Sequence, residues 1–196
     1  TVAAGAMELM TLPLPSNRAG SLSADAVRPS LKFAQDKSAV ALGPGLSQNP
    51  GTQSFVRAFV AKCVPPMVVD ADGLNALVGH APLLHDTTSV SIVTPHPGEM
   101  ARLCACSTAK VQEDREGIAR RFAENHRCVV VLKGHRTIVA GPGGEVFVNP
   151  TGNSGMATGG TGDVLTGILG ALLAQGLAPL DAARLGVYAH GLAGDL

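Results

Sequence analysis

Residues 153–176 read NSGMATGGTGDVLTGILGALLAQG. A glycine-dense run, Gly159-Gly160-Thr161-Gly162, meets one acid, Asp163, and an apolar pattern starts at once with Val164, Leu165, Ile168, Leu169, Leu172 and Leu173. That spacing predicts a buried helix. The glycines let the backbone approach a ligand closely. Their N–H groups stand where the helix begins, with its unpaired donors and positive dipole end, an arrangement suited to phosphate. The run is neither a Walker loop, since no G-x-x-x-x-G-K-[ST] occurs, nor a Rossmann fingerprint. Asp163 has two readings. As a helix cap it would contribute about 1 kcal/mol. With Thr161 available as the cap, a carboxylate beside a phosphate nest repels its ligand unless it acts on that ligand. A base taking the proton from a hydroxyl that attacks a phosphoryl group fits, while the loop amides offset charge on the phosphoryl oxygens.

Upstream of this loop, strands and helices alternate. Short apolar runs at 39–43, 67–70, 90–94 and 128–133 read as strands. They are continuous and not alternating, as parallel strands buried on both faces are. Helical spacing occurs at 53–62, with Phe55, Val56, Phe59 and Val60, and over 108–126, with Val111, Ile118, Ala119 and Phe122 inward. TIVA at 137–140 and EVFV at 145–148, joined by Gly-Pro-Gly-Gly, predict a hairpin. A final helix starts near Pro179. The architecture expected is a three-layer α/β/α sandwich with a mostly parallel central sheet. Thr1 reads as lying on a short strand and Leu196 inside a helix, so a single partial domain over 1–196, cut at both ends, is expected.

In such a sheet ligands bind beyond the carboxyl ends of the strands. Those ends carry GPGLS after Leu42, DADGLN after Val69, TPHPGE after Val93 and KGHRT after Leu132. Together with GGTGD they form candidate elements of one site. Lys133 and Arg136 taken alone read as solvated charge at a strand end. His96 lies between Pro95 and Pro97, which restrict its backbone and suit a binding contact. Glu99 reads equally as a charge in the first turn of a helix. Asp72-Gly73 is a turn signal.

These motifs together resemble the ribokinase-like superfamily, and within it the ADP/ATP-dependent NAD(P)H-hydrate dehydratases, over Val40 to the end. NSGMATGGTGDVLTGI carries the signature, GPGLS resembles GPGLG, VVDADGLNAL matches an acidic strand end, TPHPGE a His-containing motif, and VLKGHRT a K-G-x-x-T segment. The resemblance implies that ADP or ATP phosphorylates the 6-hydroxyl of the S epimer of hydrated NADH or NADPH. Phosphate then leaves and the reduced cofactor returns, so the enzyme is a lyase on a kinase fold. It implies Asp163 as the base. Lys133, Gly134, His135, Arg136 and Thr137, with Gly159, Gly160, Thr161 and Gly162, would bind the nucleotide. Gly43, Gly45 and His96, with Asp163, would contact the hydrated cofactor. Asp70 and Asp72 would steady Mg²⁺ through water. Ser47 stands where the family has Gly, and serine does not adopt a positive φ cheaply. The resemblance further implies a first strand, a glycine turn and an Ala-rich helix ahead of this region, a homo-oligomer, and a fused or separate epimerase. Small-molecule kinases of the same superfamily, acting on vitamin precursors, are the rival; they carry T-P-N where this chain has Thr94-Pro95-His96. A nucleotide-binding module without catalysis is a second rival, and the intact GGTGD speaks against it.

Composition excludes other classes. The 196 residues carry a net charge of +0, 15% charged residues, 3% aromatics and no Trp. That gives no basic surface or stacking platform for nucleic acid. No apolar run reaches membrane-spanning length. Cys63, Cys104, Cys106 and Cys128 include one C-x-C pair without a partner pair at zinc spacing, and read as small buried hydrophobes in a reducing, cytoplasmic compartment.

Overall fold

The structure is a computed structural model and describes residues 9–85, 87–88 and 90–196. The expected strand at Thr1 lies outside those residues.

Among the described residues six strands form one sheet in sequential order. They are β1 (Val40–Leu42), β2 (Met67–Val69), β3 (Ile92–Val93), β4 (Val129–Leu132), β5 (Ile138–Ala140) and β6 (Val146–Val148). β1 to β4 are parallel, and β4-β5-β6 are antiparallel, the last pair being the expected hairpin. Among the described residues eight α-helices accompany them: α1 (Val27–Ala34), α2 (Pro50–Val60), α3 (Ala71–Ala76), α4 (Pro97–Leu103), α5 (Thr108–Glu113), α6 (Arg115–His126), α7 (Thr161–Ala174) and α8 (Pro179–Asp195).

The continuous apolar strands are buried on both faces, which is why they do not alternate. Val69, Val93, Val130, Leu132, Ile138 and Ala140 join one core with residues of α1 to α6. Val68, Ile92, Val129, Val131 and Val139 join the other with Leu165, Leu169, Leu173, Ala182, Ala183 and Val187 of α7 and α8. Each fully buried side chain of this size stabilises by about 1.5–3 kcal/mol. The result is the expected three-layer sandwich. No helix among the described residues is long and apolar enough to cross a membrane.

Two local expectations need correction. The helix over 108–126 is broken at Asp114 (φ −140, ψ 60), whose carboxylate accepts from the Gly117 N–H and caps α6. Asp72-Gly73 lies inside α3 and not in a turn. Gly73 is needed there for packing: a Cβ would sit 2.9 Å from the Leu42 carbonyl oxygen.

The four cysteines are free, with Cys63 and Cys128 buried and Cys104 and Cys106 half-buried. Burial pushes the Cys63 and Cys104 thiols up to about 11 and that of Cys128 higher still. His126 and His190 are pulled below 6.5, mainly by burial. The signs give a stability profile with two limbs. A histidine whose folded pKa is lowered leaves the unfolded chain binding more protons as pH falls below 6.5, so stability drops on that side. A thiol whose folded pKa is raised keeps its proton while the unfolded chain loses it, so stability drops as pH rises from about 9. Urea midpoints are expected to be flat near pH 7–8 and to fall on both sides; a midpoint still rising below pH 6 is incompatible with these two histidines.

Candidate functional site

The carboxyl ends of β1 to β4 and the amino end of α7 meet. Asp70 follows β2 and is 1% exposed. One carboxylate oxygen lies 2.7 Å from Lys133 Nζ, just beyond β4, and the other accepts from Thr166 Oγ1 on α7 at 2.8 Å. Lys133 Nζ also lies 4.0 Å from Glu99 Oε2. Glu99 accepts from the His96 N–H at 2.8 Å, while His96 Nδ1 accepts from the Gly98 N–H at 3.0 Å, a reciprocal cap at the start of α4. Because Nδ1 accepts, a neutral His96 ring carries its proton on Nε2, 3.6 Å from Glu99 Oε1. The His96 side chain is half exposed. A continuous polar chain, His96–Glu99–Lys133–Asp70–Thr166, therefore ties β2, the β3 end, the β4 end and α7 together.

The glycine loop faces this chain. A Cβ on Gly162 would stand 3.4 Å from Lys133 Nζ and 3.9 Å from Asp70 Oδ2, whereas one on Gly159 or Gly160 would meet no protein atom within 4 Å. Gly160 precedes α7 with φ +90, a conformation glycine adopts without penalty. No side chain caps α7. The expected Thr161 cap does not form: its hydroxyl pairs with that of Thr158 at 2.9 Å. Asp163 is exposed, and its carboxylate makes no hydrogen bond or ion pair among the described residues. The N–H groups of Gly162 and Asp163 likewise bond to no described residue. The helix thus keeps free donors and dipole at a surface carrying one ammonium and one uncommitted carboxylate.

Asp70 and Asp72 are not set as direct metal ligands. Asp70 has both oxygens committed, one to an ammonium, and almost no access to water. Asp72 accepts from the Ser47 N–H at 2.9 Å and from Asn75 Nδ2 at 3.2 Å. Asp70 is the counter-ion of Lys133, and Asp72 holds the turn after β1. Among the described residues no cluster of three His, Cys, Asp or Glu could hold a metal ion.

That turn explains Ser47. It does take a positive φ, +81, and its N–H is held by Asp72 while its hydroxyl accepts from the Asn49 N–H at 3.2 Å. Local hydrogen bonds offset the cost that serine carries there. Gly43 and Gly45 differ sharply. A Cβ on Gly43 (φ +141) would lie 1.8 Å from the Asp70 carbonyl oxygen, so the two strand ends touch backbone to backbone. Gly45 (φ +73) has nothing within 4 Å. Gly43→Ala is expected to cost roughly 2–4 kcal/mol and Gly45→Ala roughly 1–2 kcal/mol. Equal urea midpoints for the two variants would refute the close approach.

Lys133 to Thr137 form a loop between β4 and β5, with Gly134 at φ +137 and Arg136 at φ +53. The Thr137 hydroxyl donates to the Gly134 carbonyl at 3.0 Å, and the Lys133 N–H to the Pro95 carbonyl at 2.8 Å. Two participants escaped the sequence reading. Thr166 was counted only as part of a buried helix, although it lies one turn beyond Gly162, on the same face. Arg115, 18 to 22 residues before this loop, gives no local signal of its contacts there.

Residues 2–196 match the family model described as NAD(P)H-hydrate dehydratase. The chain belongs to that family. It is 50% identical over 188 residues, 96% of its length, to the bifunctional NAD(P)H-hydrate repair enzyme of Moorella thermoacetica, of which it spans 36%. It is 41% identical to the ADP-dependent (S)-NAD(P)H-hydrate dehydratase of Neisseria meningitidis, covering 85% of this chain and 57% of that protein. Among solved structures it is similar to the ADP/ATP-dependent NAD(P)H-hydrate dehydratase of Bacillus subtilis co-crystallised with ATP/Mg²⁺ and soaked with CoA, with TM-score 0.69, 34% identity, and coverage of 82% of this chain and 60% of that one.

Proposed function

We propose that this chain carries the nucleotide-dependent dehydration of S-hydrated NADH or NADPH, with ADP or ATP as phosphoryl donor. The observation that carries the reading is the head of α7: free N–H donors and the Lys133 ammonium stand at the same helix end as an exposed carboxylate, Asp163, that no described residue claims. Asp163 takes the proton of the C6 hydroxyl as its oxygen attacks the terminal phosphoryl group. The amides around Gly162 and the Lys133 ammonium stabilise charge on the transferring phosphoryl oxygens. The C6–O bond then breaks, phosphate leaves with the electron pair, and a proton is lost from C5, restoring the dihydronicotinamide. Hydroxide is a poor leaving group and phosphate a good one, which is why a nucleotide is spent. The 133–137 loop binds the AMP part of the nucleotide; Gly43, Gly45 and the exposed His96 edge contact the hydrated cofactor. Mg²⁺ would come with the nucleotide phosphates and would neutralise part of their charge, and no step depends on Asp70 or Asp72 as its ligands.

The bifunctional Moorella relative supports an epimerase partner, fused or separate, that supplies the S epimer. The four free thiols and a reduced-nicotinamide substrate suit the cytoplasm. A homo-oligomer is part of the same reading.

The test is recovery of absorbance at the reduced-nicotinamide band from hydrated NADH, with and without ADP or ATP and Mg²⁺. Recovery only with nucleotide is expected. An equal rate without it, or a stable phosphate ester as product, would overturn the reading.

A further inference from the structure

Arg115 opens α6, and both terminal nitrogens of its guanidinium donate to main-chain carbonyls. Nη1 donates to the His135 carbonyl at 2.6 Å, and Nη2 to those of Leu132 and Lys133 at 3.2 and 3.4 Å. Arg115 forms no ion pair among the described residues. Its Nε is buried without a hydrogen-bond partner, and burial lowers its pKa. A half-buried cation without an ion pair among the described residues is a costly thing to keep. What it secures is the path of one short loop. The carbonyls of residues 132, 133 and 135 are taken by Arg115, and that of Gly134 by the Thr137 hydroxyl. The N–H groups of Gly134, His135 and Arg136, by contrast, bond to no described residue. A Cβ on Gly134 would come within 3.1 Å of Arg115 Nη2, so the loop and the guanidinium are fitted to each other.

We infer that Arg115 is a positioning residue for nucleotide binding: by gathering the loop's carbonyls it fixes residues 133–137 in the conformation whose unpaired N–H groups receive the nucleotide. Successive N–H groups freed in this way, with left-handed backbone at Arg136 and a positive φ at Gly134, form the kind of concavity that accepts anions. Only a planar fork reaches three carbonyls at once; a lysine ammonium at the same place lacks that geometry. The inference rests on the assignment of this loop to the nucleotide.

The experiment measures ADP affinity by calorimetry, hydrated-NADH affinity and turnover in four variants of the full chain: Arg115→Ala, Arg115→Lys, Arg136→Ala and Thr137→Val. Arg115→Ala is expected to weaken ADP binding at least about ten-fold and to raise KM for nucleotide more than it lowers kcat, with hydrated-NADH affinity within about two-fold of the parent. Arg115→Lys, which keeps the charge and the fold, should lie much nearer Arg115→Ala than the parent. Millimolar guanidinium should restore ADP affinity to Arg115→Ala and leave the parent unchanged, a rescue that general destabilisation would not show. Should Arg115→Ala fail to fold, Arg115→Lys decides alone. If Arg136→Ala and Thr137→Val weaken ADP binding while the Arg115 variants do not, this inference falls and the nucleotide assignment stands. If none of the four changes ADP affinity, the loop assignment itself is wrong and the inference falls with it.

Discussion

Asp163→Asn is expected to fold normally, bind ADP or ATP at least as tightly as the parent, and turn over hydrated NADH about 10²–10⁴-fold more slowly. The cap reading makes the opposite forecast, and the geometry already weakens it. Asp163 sits in the first turn of α7 without bonding to any backbone N–H, so no capping hydrogen bond is lost on substitution. What asparagine forfeits in stability is the charge's attraction to the helix dipole, a few tenths of a kcal/mol at an exposed position. What it forfeits chemically is the capacity to accept the hydroxyl proton. Removing a negative charge from beside bound phosphates also removes a repulsion, hence the undiminished nucleotide affinity. Calorimetry and single-turnover kinetics on the same preparation separate these effects. Near-normal turnover by Asp163→Asn would leave Asp163 as surface charge and require another base.

The fold was legible because its signals are local. Val129-Val130-Val131-Leu132 is apolar without alternation, and each residue packs into one of two cores on opposite sheet faces. The hairpin announces itself through Gly141 to Gly144 between two short apolar runs. The ligand-facing edge followed from the topology, since every parallel strand ends at the same rim. The partners across that rim were not legible. Asp70 meets Lys133 63 residues later and Thr166 96 residues later, and no periodicity spans such distances. An acid at a strand end before a glycine looks alike whether it faces water, a metal or a buried ammonium; only packing decides. Arg115 was hidden for the same reason. In a charged helix a guanidinium is ordinarily solvated, and nothing in its neighbours says that it turns inward to backbone carbonyls. The break at Asp114 could have been found, because aspartate favours the N-cap position and Glu116 places a further acid in the turn that follows, inside what otherwise reads as one continuous amphipathic run.

Lys133→Met is expected to destabilise the protein by about 3 kcal/mol, the lower end of the cost of breaking a buried pair, since Lys133 retains some solvent access while Asp70 has almost none. The variant leaves a carboxylate 1% exposed with only the Thr166 hydroxyl for company. Adding Asp70→Asn removes the stranded charge and keeps a side chain able to accept from Thr166. The double variant should therefore regain most of the lost stability, and the cycle should show a coupling energy of roughly 2–3 kcal/mol, as expected for groups in direct contact. Stability and catalysis then part company. Lys133 Nζ lies beside the position of a Gly162 Cβ, at the mouth of the phosphate-facing helix. With the ammonium gone, charge on the transferring phosphoryl group loses a stabilising partner, so the double variant should be well folded yet at least about ten-fold slower. Two results would sink this account. If Lys133→Met is as stable as the parent, Asp70 does not depend on the ion pair. If the double variant recovers turnover along with stability, Lys133 is a buried counter-ion with no part in the chemistry, and the phosphate must be held by the backbone of α7 alone.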